Sequence, residues 1–443
     1  MPFQLATFPR GVRSATFAVA SFLCAAAAAE DPSARLEALA AQNARLEAQL
    51  EEQRKLVEQL AAQLAEMRGA TQRHDRVLEE LQSASDAPSA RSGGGGHAAV
   101  RITGEAGLAF FKTGSAGQFP NSEFRVDDAK VAIEAQVWKN AFAFAEFNLL
   151  LRENNDEAFH LGELYVDFES VLGGRAVNLR AGRLNVPFGE EYQVRGVLTN
   201  PLISHSVSDI WGVDEGVEVY GEVGKFSYVA AVQNGGHSLL RDHSWDKSLA
   251  ARVGYDPNRW LHLSASAMRT GQLSTSGDAL SEVWFSNGFF RALGASGTTK
   301  EFSANLYELD AKARWRSGHL AVAAGWVRFD DDDVTADHTR RMNYQSVEWM
   351  QRVGERLYGV VRYSGTEAPR GYPLAGFGNA GAFFYNPGAP WTERLRRVSA
   401  GFGYRLGPPL VLKFEYSVER GRTVAGADRD DQDFLAAEVG FKF

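Results

Sequence analysis

The connections of this chain are sorted by length. From Val100 to Phe443, sixteen period-two segments follow one another, opening with 100–111, 123–138 and 141–151 and closing with 393–406, 409–420 and 432–443. The short links are Lys139-Asn140, Ser170 to Gly174, Val223-Gly224-Lys225, Asp256-Pro257-Asn258, Ser317-Gly318, Val353-Gly354-Glu355 and Gly407-Pro408-Pro409. Long links alternate strictly with them, near 112–122, 152–158, 185–212, 235–245, 271–301, 330–339, 367–392 and 421–431. Successive antiparallel strands then carry every short turn on one rim and every long loop on the other. A soluble sandwich has no reason to sort its loops by parity. A transmembrane barrel does, with an even strand count and both termini at the short-turn end. Segments of about ten to fifteen residues are long for a soluble sheet and fit a tilted crossing of a bilayer. The expected fold is an all-β transmembrane barrel of about 16 antiparallel strands over 100–443.

The faces of these segments agree. In the terminal FLAAEVGFKF the odd positions from Leu435 are Leu, Ala, Val, Phe and Phe, against Ala, Glu, Gly and Lys at the even ones. Period two gives one greasy face and one small or polar face. Val398, Ala400, Phe402 and Tyr404 repeat the pattern, as do Leu410, Leu412, Phe414, Tyr416 and Val418. The greasy faces are expected against lipid, with Phe443 in an aromatic girdle, and the polar faces toward a lumen. No run of 18 apolar residues occurs and mean hydropathy is only −0.27, so no spanning helix is expected. Closure matters because an open edge in hydrocarbon leaves backbone donors unsatisfied.

The first hundred residues read differently. Arg10 and Arg13, the apolar run Ala15 to Ala29, and Ala27-Ala28-Ala29 before Glu30 form a signal peptide, 1–29. Leu23 before Cys24 rules out a lipoprotein site, and the exported chain has no other cysteine. Loss of the two arginines takes the formal charge from −8 to about −10. Within 30–82 a heptad repeat runs through Leu36, Asn43, Leu50, Val57, Leu64, Thr71 and Leu78, with Leu39, Leu46, Gln53, Leu60, Met67, His74 and Leu81 as its second seam. This predicts an α-helical periplasmic coiled coil that oligomerises the chain; a solvated single helix is the alternative. Residues 83–99, with Gly93 to Gly96, form a flexible linker.

Ala181-Gly182-Arg183-Leu184-Asn185-Val186-Pro187-Phe188-Gly189-Glu190 ends the fifth strand. With the coiled coil before the barrel and the terminal Phe443, it resembles the phosphate-selective porin O and P family. The motif positions are Gly182, Arg183, Pro187, Phe188 and Gly189. The resemblance covers the mature chain in layout and about ten residues in motif. It implies a sixteen-stranded outer-membrane barrel, usually trimeric, for passive diffusion of small solutes, often anions. Independently, Pro187 stops a strand ladder and Gly189 permits a reversal.

The third long loop, 185–212, is expected to fold inward and narrow a barrel this wide; a plain surface loop is the alternative. Its charged candidates for the constriction are Glu190, Glu191, Arg195, His205 and Asp209. Alternation places Arg180, Lys312, Arg314, Arg362, Arg397, Arg405 and Lys413 on the lumen wall, opposed by Glu134, Glu146, Glu163, Asp167, Glu218, Glu308, Asp310 and Glu415. Opposed charges across a narrow lumen produce a transverse field, which sets ion preference. The acid runs Asp330 to Asp333 and Asp428 to Asp433 are either bridges through divalent cations to lipopolysaccharide or simply solvated.

His205, Ser206 and Asp209 are too close in sequence for a triad whose members converge from separate elements. Neither a zinc-protease helix motif, a nucleophile elbow nor a phosphate loop occurs, and no basic aromatic face for nucleic acid. No enzyme activity, cofactor or metal is expected. The leading reading is a diffusion porin, general or weakly anion-selective. Two others stay open: an anchor whose coil binds peptidoglycan, and a barrel sheathing an electron-transfer partner, whose haem must come from elsewhere because C-x-x-C-H is absent.

Overall fold

A computed structural model of the protein describes residues 100–150, 159–235, 245–274, 298–378 and 389–443. The expected signal peptide, coiled coil and linker lie outside the described residues. The described strands are β1 Val100–Thr113, β2 Glu123–Trp138, β3 Ala141–Leu150, β4 His160–Phe168, β5 Asn178–Asn185, β6 Val213–Val223, β7 Phe226–Gln233, β8 Ser248–Asn258 and β9 Leu261–Arg269. They continue with β10 Leu273–Ser274, β11 Glu301–Trp315, β12 Gly318–Asp331, β13 Arg340–Val353, β14 Leu357–Pro373, β15 Trp391–Gly407, β16 Leu410–Thr423, β17 Asp428–Arg429 and β18 Phe434–Lys442. β10 and β17 are two-residue rungs in long loops, which leaves sixteen wall strands. Each wall strand pairs antiparallel with its neighbours in sequence, and β1 pairs with β18, so the sheet closes on itself. Closure leaves no edge to aggregate or to face hydrocarbon unpaired.

The seam explains the terminal phenylalanine. Val439 lies opposite Leu108 and Phe441 opposite Ala106, and Phe443 exchanges backbone hydrogen bonds with Gly104 at 3.0 and 3.1 Å. Its ring lies over Gly104, where any Cβ would collide with it. The last residue thus completes the closing ladder. Exposed rings cluster at the short-turn rim, with Trp138, Phe168, Phe226, Trp260, Trp315 and Phe443 each next to a turn or terminus. Aromatic rims of this kind flank the apolar band of barrels that sit in lipid.

Several boundaries differ from the sequence reading by two or more residues. The fifth strand begins at Asn178, not 175, because Gly173 and Gly174 have φ of 80° and 78° and the 169–177 turn takes the intervening residues. β14 and β15 extend to Pro373 and back to Trp391, beyond the expected 366 and 393, and Tyr372 near the end of β14 is fully buried against the Phe329 ring. Inside, the upper lumen holds an apolar cluster. Phe302, Leu306, Val327, Phe329, Met342 and Tyr344 point inward from β11 to β13. These side chains would face water in an empty barrel. They instead receive Val186, Phe188, Val207 and Ile210 from the loop between β5 and β6, which removes apolar surface from water and pulls that loop inside.

Candidate functional site: a loop clasped across the lumen

β5 ends at Asn185, and the segment up to Gly212 crosses the barrel and returns, its ends tied by Val186 N–H donating to the Gly212 carbonyl at 2.8 Å. Gly189 makes the turn into the lumen with φ 71°, and its Cβ position is already taken by Glu308 Oε1. Its amide donates to Ser266 Oγ at 3.0 Å and its carbonyl accepts from Arg252 at 2.9 Å, which fixes the loop to β8 and β9. Phe188 is 1% exposed in the apolar cluster, and Pro187 is buried beside it. Gly182 has φ 141° with the Leu164 carbonyl against it, and Arg183 donates to the Leu161 and Gly162 carbonyls and to Glu215. The motif therefore ends a strand and seats a loop; none of its five positions lines a described cavity.

The far wall grips the loop. Arg362 on β14 donates to the Ser204 carbonyl at 2.8 Å and to Asn200 Oδ1 at 2.9 Å while paired with Glu348. Arg397 on β15 donates to the His205 carbonyl at 3.0 Å and pairs with Glu419 at 2.7 Å. On β16, Lys413 donates to the Leu202 carbonyl at 3.1 Å and pairs with Glu438 at 2.8 Å. Glu415 accepts from the Ile203 and Ser204 amides at 2.8 and 2.7 Å, and from Ser204 Oγ at 2.5 Å. Arg405 reaches the Leu198 carbonyl at 3.4 Å. Irregular backbone has polar groups that must be satisfied when buried, and these inward charges satisfy them.

The expected constriction residues separate into two groups. His205 and Asp209, expected on the passage, are 4% and 0% exposed. Arg195 is paired with Asp209 and lies over the Trp211 ring at 4.5 Å. Burying Asp209 requires its cation, so these three form an internal brace. Glu190 and Glu191 stay at the lumen. Glu191 also accepts from the Ser206 amide and hydroxyl at 2.9 and 2.6 Å. Of the wall cations, Arg180 pairs with Asp167 and Glu218 at 2.8 and 3.1 Å, and Lys312 and Arg314 share a cavity with Glu190 and Glu191.

Lumen cavities of about 480, 370 and 240 Å³ lie against the loop among the described residues. Gln193, on the short 3-10 turn Glu191–Val194, borders all three, and its amide donates to Glu190 Oε2 at 2.6 Å. Tyr192 borders the larger two. Both belong to the loop's polar groups, with Asn200 and Ser206, but neither carries a charge that would mark it as a constriction residue in sequence. Their place between the compartments comes from the turn.

The acid-rich outer loop is internally organised. Asp332 accepts from the Lys300 and Glu301 amides, and Asp333 from the Thr335 and Ala336 amides. The Thr339 hydroxyl and amide, with Arg370 beside them, hold the Asp337 carboxyl down to about 2.

No protein family matches the sequence, and no curated protein matches it. Solved structures do match the fold. The outer membrane channel DcaP of Acinetobacter baumannii superposes with a TM-score of 0.53 at 11% identity, covering 78% of this chain and 97% of that one. OmpT of Vibrio cholerae, an outer membrane protein in a trimer form, gives 0.52 at 11% identity over 78% and 99%. The fold is that of outer-membrane barrels. At such identities the likeness extends to the architecture alone.

Proposed function

We propose that the protein is an outer-membrane channel for passive diffusion of small hydrophilic solutes. The observation that carries this reading is the lumen. A closed sixteen-strand wall encloses polar cavities, and a loop held from both sides narrows the space to compartments of a few hundred Å³. An anchor has no need of a polar interior organised around a neck. The cavities beside the clasped loop, of about 480, 370 and 240 Å³, are far smaller than an electron-carrier protein, which argues against the sheath. The aromatic rim and apolar outer face support placement in the outer membrane, in contact with lipid and lipopolysaccharide. A trimer is proposed from the family resemblance and from the trimeric form of the Vibrio protein. The Gly182 to Gly189 segment supports kinship with the phosphate-selective porins. A periplasmic coil over 30–82 with a reach to peptidoglycan is proposed from the heptads alone and is compatible with conduction.

Liposome swelling tests the channel. Vesicles carrying the folded full-length protein should swell in monosaccharide solutions and stay unchanged in large dextrans. Folded barrels that admit no monosaccharide would leave the anchor as the function.

A further inference from the structure

Most cations that alternation places inside this barrel are already held in ion pairs. Arg362, Arg397 and Lys413 each lie between a carboxylate and a loop carbonyl, with side chains 7%, 3% and 2% exposed. Arg195 is folded onto Asp209. Charges paired and buried in this way are neutralised at short range and give little attraction to an anion in the passage.

The charges that line the cavities are unequal. The 370 Å³ cavity is lined by Glu105, Asp128, Glu146 and Glu163. Its cations are the already paired Arg195 and Lys130, which lies 3.0 Å from Glu105 and 3.6 Å from Glu146. His160 is its one histidine. In the 240 Å³ cavity Glu190, Glu191 and Asp310 face Lys312 and Arg314, beside the Arg362–Glu348 pair and His262. The 480 Å³ cavity is balanced, with Glu169, Glu218 and Glu222 against Arg175, Arg180 and Arg252. The acid surplus therefore adjoins Gln193, where the three compartments meet.

We propose that the passage prefers cations, and that the carboxylates of the 370 Å³ cavity set that preference. The inference rests on the diffusion-channel reading and takes the opposite sign to the solute class of the phosphate-selective porins. Low-dielectric walls focus such fields, and a potential of one kT already multiplies the local cation-to-anion ratio about sevenfold.

The test is the reversal potential of the full-length protein in a planar bilayer under a potassium chloride gradient at low salt. A potassium-to-chloride permeability ratio above about 3 is expected, collapsing toward unity near 1 M salt, where screening falls to about 3 Å. The triple variant Asp128→Asn, Glu146→Gln, Glu163→Gln keeps Glu105 for Lys130 and should lower the ratio by about twofold or more. Lys130→Gln should raise it, which keeps the test valid if the triple variant fails to fold. A chloride preference, or a ratio indifferent to both variants, overturns the inference and leaves the channel intact. Folded barrels without current overturn the channel and the inference together.

Discussion

Arg397→Met is expected to loosen the barrel by about 3–5 kcal/mol, the cost of leaving a buried carboxylate without its cation. Arg397 sits 3.5 Å over the Phe377 ring, makes two hydrogen bonds to Glu419 Oε2 at 2.9 and 2.7 Å, and holds the His205 carbonyl. Glu419 is 1% exposed and would keep only the Phe377 amide, at 2.8 Å, among its bonds from this cluster. The constriction loop and the inward-folded Leu374 to Gly378 segment would lose their shared support. The comparison is Arg396→Met, one residue along the same strand. Arg396 is half exposed and pairs with the half-exposed Glu367 at 2.9 Å, so its loss should cost at most about 1 kcal/mol. Heating the folded protein and following its shift in gel mobility separates the two. Arg397→Met should unfold well below the parent and give noisy, enlarged current steps, whereas Arg396→Met should match the parent in both. Equal behaviour of the two variants would mean that the clasp does not hold the loop.

Gly189→Val should have an effect of similar size by a different route. At φ 71° a β-branched residue is strained by about 1–2 kcal/mol, and its first carbon would occupy the space of Glu308 Oε1. Glu308 cannot yield freely, since its carboxylate accepts the Tyr344 hydroxyl at 2.6 Å. The turn would shift and draw Phe188 out of the apolar cluster, a loss of about 3–5 kcal/mol if complete. Gly224→Ala is the matched control. Its φ is 63°, but nothing lies within 4 Å of its Cβ position, so only the backbone cost of about 1 kcal/mol remains. Proteolysis of the loop in detergent-folded barrels should rise for Gly189→Val and not for Gly224→Ala.

Most of the wall was legible in the sequence because lipid imposes a strict rule. Every second residue of a crossing strand must be apolar, and the paired backbone leaves no alternative register. The alternation of FLAAEVGFKF gives the outward face directly: Val439 and Phe443 face out, and Phe434, Ala436 and Glu438 are buried inside. What the inward face meets was not legible. Alternation points Arg362 and Lys413 into the lumen, yet only the folded chain brings Asn200 and Leu202 against them, from 162 and 211 residues away. The sequence reading consequently placed these cations in the passage. It also placed His205 and Asp209 there, because a polar loop does not disclose which of its residues turn toward the wall. Gln193 is one polar group among several in that loop as far as the sequence goes: its prominence follows from a four-residue turn and from the cavities around it, not from its chemistry.

The most direct measurement is thiol modification of Gln193→Cys during single-channel recording. Cys24, the chain's one cysteine, lies in the segment expected to be removed, so the introduced thiol would be the single target. A bulky methanethiosulfonate reagent should cut each current step by more than half, an order-of-magnitude expectation for a charged, wetted constriction. Val334→Cys, on an outer loop and 98% exposed, should be modified without effect. Undiminished steps through channels modified at Gln193→Cys would contradict the loop between β5 and β6 as the neck of the passage.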